Sequence, residues 1–168
     1  MYTIEPLDEN DNVTSPRRHN VVRCASKVPM PTLNIVLRGM QFHSDDLERA
    51  DDLMEIAKIL LARGAYISKK GDHCHRPTFL EACMCDNIEV DFLKELLARG
   101  ANIFEVESHS GTNCNDHMIG DGALHFAIEE LNLAVVKFLL HCGLDVNSRG
   151  KGGQTVLHRL FKPLRYRG

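Results

Sequence analysis

The feature that most constrains the fold is a short pattern that occurs three times. It reads LLARGAYI at 60–67, LLARGANI at 96–103 and LLHCGLDV at 139–146. Two leucines, two further residues and a glycine stand at the same offsets each time. Because self-similarity along a chain is the signature of repeat architectures, we expect one structural unit to recur.

An amphipathic helix is predicted before each glycine of this pattern. In the first copy the apolar residues follow the i, i+3, i+4, i+7, i+8 spacing of one helix face. They are Leu53, Ile56, Ala57, Leu60 and Leu61. The third copy repeats this with Val135, Val136, Leu139 and Leu140. Each helix is followed directly by glycine, where a left-handed C-cap residue ends a helix. These residues are Gly64, Gly100 and Gly143.

A second recurring element lies upstream of these helices. It reads PTFLEAC at 77–83, DGALHFA at 121–127 and GQTVLHRL at 153–160. The last two copies align at a spacing of 33 residues, from Leu124 to Leu157. The repeating unit is therefore a turn, a first helix, a second helix and a glycine.

Together these residues resemble the ankyrin repeat, which reads roughly G-x-T-P-L-H-x-A, a helix pair and V-V-x-x-L-L-x-x-G-A-x-x-N. The third copy matches best, with Leu124-His125-x-Ala127, Val135-Val136, Leu139-Leu140, Gly143 and Asp145-Val146-Asn147. The resemblance implies an all-α ankyrin-repeat solenoid of stacked helix-turn-helix pairs with extended inter-repeat loops. Such pairs bury a continuous core only by stacking on their neighbours.

The resemblance sets the expected domain boundaries. We expect a flexible N-terminal arm at 1–28 and an ankyrin-repeat domain at 29–168. Within it lie repeats at about 29–70, 71–107 and 118–150, an inserted loop at 108–117 and a partial repeat at 151–168. The partial repeat has one helix, so it is either a C-terminal cap or part of a longer array.

Two irregularities lead to further expectations. About a dozen extra residues are expected between the two helices of the first repeat, near 43–52. The second repeat has Glu81 where the family has histidine, so we expect this repeat to be less rigidly held.

Composition limits the class of protein. No apolar run approaches the roughly 20 residues of a membrane span, and the N-terminus MYTIEPLDEN has no signal-peptide layout. We therefore expect a cytoplasmic or nuclear protein, with no membrane contact and with its six cysteines reduced. The net charge is −3, although residues 148–168 carry six basic residues and no acid. That basic end favours a solubilised terminal repeat over nucleic-acid binding, which we consider unlikely.

The cysteines and histidines of two successive loops are possible ligands for a metal ion. Cys74, His75, Cys114 and His117 are the ligand types that zinc prefers. No paired C-x-x-C and H-x-x-x-H spacing occurs, however, and the fold packs without metal. We therefore favour ordinary loop residues.

No enzyme motif is present. The segment GKGGQT at 150–155 lacks the order of a phosphate-binding loop and falls at an inter-repeat turn. His125 and His158 are better explained as residues that fix a turn than as general bases. We expect no catalysis, no cofactor and no small-molecule substrate.

Function follows from the resemblance, which implies recognition of another protein through a concave face of loop tips and first helices. The candidate contact residues are Lys69, Lys70, Asp72, His73, Arg76, Glu81, Met84, Glu105, Glu107, His109, Asp116, Glu129, Arg149 and Lys151. The inserted loop 108–117 is a further candidate, because insertions into a rigid scaffold often carry specificity.

Two classes of function remain open at this point. The chain is either an adaptor or inhibitor, for example of a transcription factor, or a docking module of a longer protein with an effector domain such as a ubiquitin ligase. In addition, Leu139 and Asp145 precede Asn147 as in the targets of the asparaginyl hydroxylase that modifies ankyrin repeats. Asn147 is therefore a candidate modification site.

Overall fold

The structure is a computed structural model that describes residues 30–42, 46–69, 76–107 and 120–161. That part of the chain contains seven α-helices and a 3-10 turn at Lys151–Gly153. The helices are α1 Thr32–Phe42, α2 Leu47–Ala62, α3 Thr78–Ala82, α4 Val90–Ala98, α5 Ala123–Glu129, α6 Leu133–His141 and α7 Val156–Leu160. The predicted arm at 1–28 lies outside the described residues.

The helices form a solenoid of antiparallel pairs. Helix α1 packs on α2, α3 on α4, and α5 on α6. The first helices also contact one another in succession, α1 with α3, α3 with α5 and α5 with α7. The described residues contain no β-strand, only two isolated antiparallel bridges. The predicted all-α ankyrin solenoid is confirmed.

The core is built from the same positions in successive repeats. Leu33, Leu80 and Leu124 occupy the family's leucine position, and all three are buried. On the second helices, Leu96 and Leu139 are buried at equivalent positions. Each such side chain contributes about 1.5–3 kcal/mol on leaving water. Because the core runs from repeat to repeat, stability depends on contacts between neighbours.

The helix ends follow from local sequence. Asp46 Oδ1 accepts a hydrogen bond from Arg49 N at 3.2 Å at the start of α2. Asn132 Oδ1 accepts one from Val135 N at 3.1 Å at the start of α6. Past the second helices, three glycines have positive φ, as predicted for a left-handed C-cap. They are Gly64, Gly100 and Gly143, with φ of 83°, 92° and 90°.

The first repeat differs from the expectation that about a dozen extra residues, near 43–52, separate its two helices. Residues 47–52 do not separate two helices, because they form the first turns of the 16-residue helix α2. Ala50 and Met54 are buried on the same face as Ala57 and Leu61, so the apolar stripe extends back to the cap. The extra residues of this repeat lengthen its helices instead of the connection between them.

Leu131, in the turn between α5 and α6, is the described non-glycine residue with a positive φ, 56°. Its side chain is 68% exposed, so little packing compensates for the left-handed conformation. We expect Leu131→Gly to raise the free energy of unfolding by about 1 kcal/mol, because glycine adopts this conformation without a Cβ clash. Urea denaturation of both proteins measures the difference. A destabilised Leu131→Gly variant would contradict the expectation.

Candidate partner-binding surface

The loops between repeats are held by short antiparallel pairings. Val106 pairs with Gly122, and Arg149 pairs with Thr155. Glu107 N donates to the Asp121 carbonyl oxygen at 2.9 Å, which extends the first pairing. In the second loop, the 3-10 turn that begins at Lys151 lies between the paired residues. The backbone therefore fixes the loop arms beside the N-termini of α5 and α7.

Arg76 joins the second repeat to the loop of the third. Its Nε donates to Glu107 Oε1 at 3.0 Å, and its Nη1 lies 3.4 Å from Glu81 Oε2. Its guanidinium carbon also lies 5.1 Å from the centroid of the Phe126 ring, a cation–π distance. One half-buried arginine thus contacts two carboxylates and an aromatic ring from different repeats.

Glu81 is buried beneath this arginine. Its Oε1 accepts from Arg38 Nε at 2.9 Å and from Gln41 Nε2 at 3.3 Å. The expectation that the second repeat is less rigidly held is therefore wrong, since Glu81 replaces histidine with ion pairs that join α3 to α1. The expectation that Glu81 contacts a partner is also wrong, because its side chain has no exposed surface.

Asn34 occupies the equivalent position in the first repeat and is also buried. Its Nδ2 donates to the Arg76 carbonyl oxygen at 2.8 Å, and its Oδ1 accepts from Thr78 Oγ1 at 2.6 Å. Ser68 N donates to the same Thr78 hydroxyl at 2.9 Å. A buried polar side chain therefore links the first repeat to the turn of the second.

His125 has the corresponding role in the third repeat. Its Nδ1 accepts from Gly122 N at 3.4 Å, so Nε2 carries the proton and donates to the Gln154 carbonyl oxygen at 3.4 Å. In the fourth repeat, His158 Nδ1 accepts from Thr155 N at 3.3 Å. The interpretation of both histidines as turn-fixing residues is confirmed.

Burial lowers the pKa of His125, and this effect outweighs the opposing hydrogen bonds to the backbone of Gln154 and Ser148. As the pH falls, the unfolded chain binds a proton at about pH 6.5 while the folded histidine is still neutral. We therefore expect the free energy of unfolding to fall as the pH drops below about 6.5. Urea denaturation between about pH 7.5 and 5.5 measures it. The free energy of unfolding should fall less steeply with decreasing pH in His125→Gln. Equal pH dependence in the two proteins would mean that His125 is not the group responsible.

Asp121 joins the third repeat to the fourth, and nothing in the spacing of motifs pointed to it. Its Oδ1 accepts from Lys151 N at 2.9 Å, and its Oδ2 pairs with the Arg159 guanidinium. The side chains of Asp121 and Arg159 are both nearly buried. Arg159 also lies 3.9 Å from Glu129, so a small charged cluster closes this end of the inner helices.

The predicted contact residues fall into three groups. Exposed or partly exposed are Lys69, Arg76, Met84, Glu107, Glu129, Arg149 and Lys151, which we call the candidate surface. Glu81 and Glu105 are buried; the expectation that Glu81 contacts a partner is corrected, whereas Glu105 lines the cleft described below and stays a predicted contact residue. Outside the described residues lie Lys70, Asp72, His73, His109 and Asp116, together with the whole of the loop 108–117.

The cysteines and histidines considered above as possible zinc ligands also lie outside the described residues. They are Cys74, His75, Cys114 and His117. Among the described residues, no group of three or more histidine, cysteine or acidic side chains is placed to hold a metal ion.

A cleft of about 260 Å³ lies beside the candidate surface, between the loop that follows α4 and the loop that follows α6. Its apolar wall includes Ile103, Leu124 and Leu144, and Arg149 lies at its edge. Phe104 lines it as well and is largely exposed. No sequence motif indicates this cleft, because it forms only when two loops from successive repeats are brought together.

The chain belongs to the ankyrin-repeat family. Residues 48–150 match the family model described as ankyrin repeats in three copies. The helix pair and the C-cap glycine of the first three repeats agree with that assignment.

The chain is similar to proteins named NF-kappa-B inhibitor zeta. It is 28% identical to the protein of Bos taurus, 27% to that of Homo sapiens and 26% to that of Mus musculus. Each alignment has 153 residues and covers 86% of this chain. The chain spans about a fifth of the length of these relatives. The family and the relatives support a protein-binding role. None of the helices in the described ranges has the length and apolar character needed to span a bilayer.

Proposed function

We propose that this chain binds a transcription factor of the NF-kappa-B class and inhibits it through the candidate surface, without catalysis or a cofactor. The observation that carries the proposal is the alignment of 86% of the chain with relatives whose name describes NF-kappa-B inhibitors. Binding in the cytoplasm or the nucleus, where such a factor acts, is part of the proposal.

The geometry suits a preorganised binding surface. Buried polar contacts join successive repeats, because Asn34 and His125 bond to the turn of the next repeat and Glu81 bonds to Arg38 of the preceding first helix. A scaffold held in this way has little conformational freedom to lose when a partner binds. The cleft beside Phe104 offers a place for an apolar anchor side chain, and such anchors dominate many interfaces.

Arg149 and Lys151 are the exposed basic residues of the last loop. The bond from Lys151 to Asp121 is made by the backbone N–H, so replacing the Lys151 side chain keeps this bond, whereas the Arg149 side chain donates to the Gly153 carbonyl oxygen at 3.1 Å. Charges at the rim of an interface steer association and select partners of opposite sign. We therefore propose that this loop contacts an acidic region of the partner.

The test is a double charge reversal on this loop. We expect Arg149→Glu/Lys151→Glu to weaken binding of a purified NF-kappa-B-class dimer by about tenfold or more, measured by calorimetry at physiological salt. The matched control is Lys94→Glu/Lys137→Glu, which changes the net charge equally on exposed residues of α4 and α6.

Two other outcomes would count against the proposal. Equal weakening by both double variants would mean that only net charge matters and that the last loop is not a contact. Unchanged affinity in the loop variant would remove this loop from the candidate surface. Thermal melting of all variants establishes that each is folded.

Two sequence-based expectations stay proposals. Deleting 108–117 should weaken partner binding if the inserted loop contributes specificity. Asn147 is exposed, with its backbone N–H donating to Asp145 Oδ1 at 2.9 Å. Co-expression with an asparaginyl hydroxylase should add the mass of one oxygen atom to the peptide that contains Asn147. An unchanged peptide mass would count against that modification.

A further inference from the structure

The cleft beside the candidate surface has two walls, one from each of two successive loops. Ile103, Phe104 and Val106 belong to the loop that follows α4. Leu144 and Arg149 belong to the loop that follows α6. Its volume of about 260 Å³ lies below the roughly 300–1,000 Å³ of sites for cofactors and drug-sized molecules. The cleft therefore suits one large apolar side chain of a protein partner.

Phe104 lies at the mouth of this cleft and is 67% exposed. Counted from the C-cap glycine, the equivalent residues of the first and third repeats are Ser68 and Asn147, which are both polar. The stacking of repeats therefore does not require an apolar residue at this position. An exposed ring beside an apolar wall can pack edge to face against a second aromatic ring, which adds to the effect of the area buried. Phe104 thus favours an aromatic side chain as the occupant.

The charges at the rim of the cleft favour an acidic group beside that side chain. Arg149 Nη1 donates to the Gly153 carbonyl oxygen at 3.1 Å, a neutral acceptor, so this bond does not balance the positive charge. A guanidinium has five N–H donors, and two of them can bind one carboxylate. Lys151 adds an exposed positive charge two residues later. The acid at this rim, Asp145, accepts from the Asn147 backbone N–H at 2.9 Å within its own turn.

The other acids near the cleft do not reverse this balance. Glu107 pairs with Arg76, and Asp121 pairs with Arg159, so both carboxylates already have a cationic partner. Glu105 lines the cleft but is buried, which sets it back from the exposed basic residues of the rim. The exposed rim is therefore complementary to a carboxylate.

From these observations we propose that the cleft receives an aromatic side chain of the partner and that Arg149 binds a carboxylate from the same segment of the partner's chain. This proposal rests on the proposed function, because it names the kind of partner segment that the candidate surface binds. Aromatic anchors in pockets dominate many interfaces, and a guanidinium–carboxylate pair adds geometric specificity. A segment that has only the ring or only the acid is therefore a weaker ligand.

The first arm of the test does not use the NF-kappa-B-class dimer. The full chain, isotope-labelled for NMR, is titrated with the blocked peptide acetyl-Ser-Glu-Phe-Asp-Ser-amide. We expect the peptide to shift the backbone amide resonances of Phe104, Leu144 and Arg149. Replacing the phenylalanine of the peptide with serine, or its two acids with their amides, should each weaken binding by about fivefold or more.

Arg149→Gln tests whether the acids of the peptide bind at this arginine. This variant should bind the acidic peptide as weakly as the neutral one, and its affinity for the neutral peptide should be unchanged. Lys94→Gln is the control, because it removes the same charge from an exposed residue of α4. It should bind both peptides like the unmodified chain. Thermal melting verifies that both variants are folded.

The second arm measures binding of a purified NF-kappa-B-class dimer by calorimetry. Phe104→Ala should weaken this binding by about tenfold or more. Phe42→Ala is the matched control, because Phe42 is 72% exposed at the end of α1 and does not line the cleft. It should bind the dimer like the unmodified chain.

Failure of the cleft proposal is distinct from failure of the proposed function. Dimer binding that Phe104→Ala leaves unchanged would overturn the cleft proposal and leave the proposed function standing. Equal binding of the three peptides, or shifts confined to residues away from the cleft, would also overturn it. If the unmodified chain did not bind the dimer, the proposed function would fail, and peptide shifts at the cleft would still support an acidic aromatic segment as its ligand.

Discussion

Replacing Gly150 with alanine is expected to lower the free energy of unfolding by about 3 kcal/mol. A Cβ at this position would lie 2.2 Å from Asp121 Oδ1 and 2.8 Å from His125 Nε2. Neither side chain can move cheaply, because Asp121 is paired with Arg159 and His125 is bonded to the Gln154 backbone. The change therefore disrupts the junction between the third and fourth repeats. Urea denaturation measures the loss.

Gly39 provides the matched control for this substitution. It lies within α1, and a Cβ there would meet only the Leu53 side chain, with Cδ1 at 3.4 Å and Cδ2 at 3.7 Å, which are ordinary contacts. Gly39→Ala should therefore stabilise the protein by about 0.5–1 kcal/mol, the usual gain inside a helix. If both alanine variants were equally stable, Gly150 would not be a point of close approach.

Glu81→Ala is expected to lower the free energy of unfolding by about 2–4 kcal/mol. The change leaves a cavity and removes the acceptor of Arg38 and Gln41. The full cost of an unpaired buried charge is not expected, because Arg38 and Arg76 are partly exposed and can be hydrated. Chemical denaturation at neutral pH measures the change.

Glu55→Ala is the control for loss of a carboxylate. Glu55 pairs with Lys58 at 2.8 Å on the exposed side of α2, where screening by water leaves such a pair with little effect on stability. If Glu81→Ala cost no more than Glu55→Ala, the network of Arg38, Glu81 and Arg76 would not join the first two repeats. Adding Arg38→Met to Glu81→Ala should lower the free energy by less than the sum of the single changes, because the pair acts together.

The repeating scaffold was predictable because its signals are local. The apolar period before Gly64, Gly100 and Gly143 depends on residues within two turns of each other, and so does the left-handed C-cap. The turn-fixing histidines were also predictable, since His125 bonds within its own turn to Gly122. Contacts within one turn or one helix recur wherever the same short sequence pattern recurs.

The contacts between repeats were not predictable in the same way. Glu81 was expected to be accessible because acids are mostly exposed, but Arg38 from 43 residues earlier covers it. Arg159 and Asp121 are 38 residues apart, and no motif relates them. The long helix α2 was missed because charged residues at 48–52 resembled a loop, although Ala50 continued the apolar stripe.

These contacts bear on the binding proposal. Glu81, which is withdrawn from the candidate surface, joins the first two repeats, whereas Arg149 and Lys151, which stay, are exposed. A variant at Glu81 is expected to act through stability, and variants at Arg149 and Lys151 through affinity. Measuring melting and binding on the same samples separates the two effects.

The most direct test of the central claim is titration calorimetry of the full chain against a purified NF-kappa-B-class dimer. We expect saturable heat of binding, and we expect the chain to release the dimer from its DNA site in a gel-shift assay. No heat of binding and no release from DNA at concentrations up to about 50 µM, with a folded chain and a DNA-competent dimer, would contradict the proposed function.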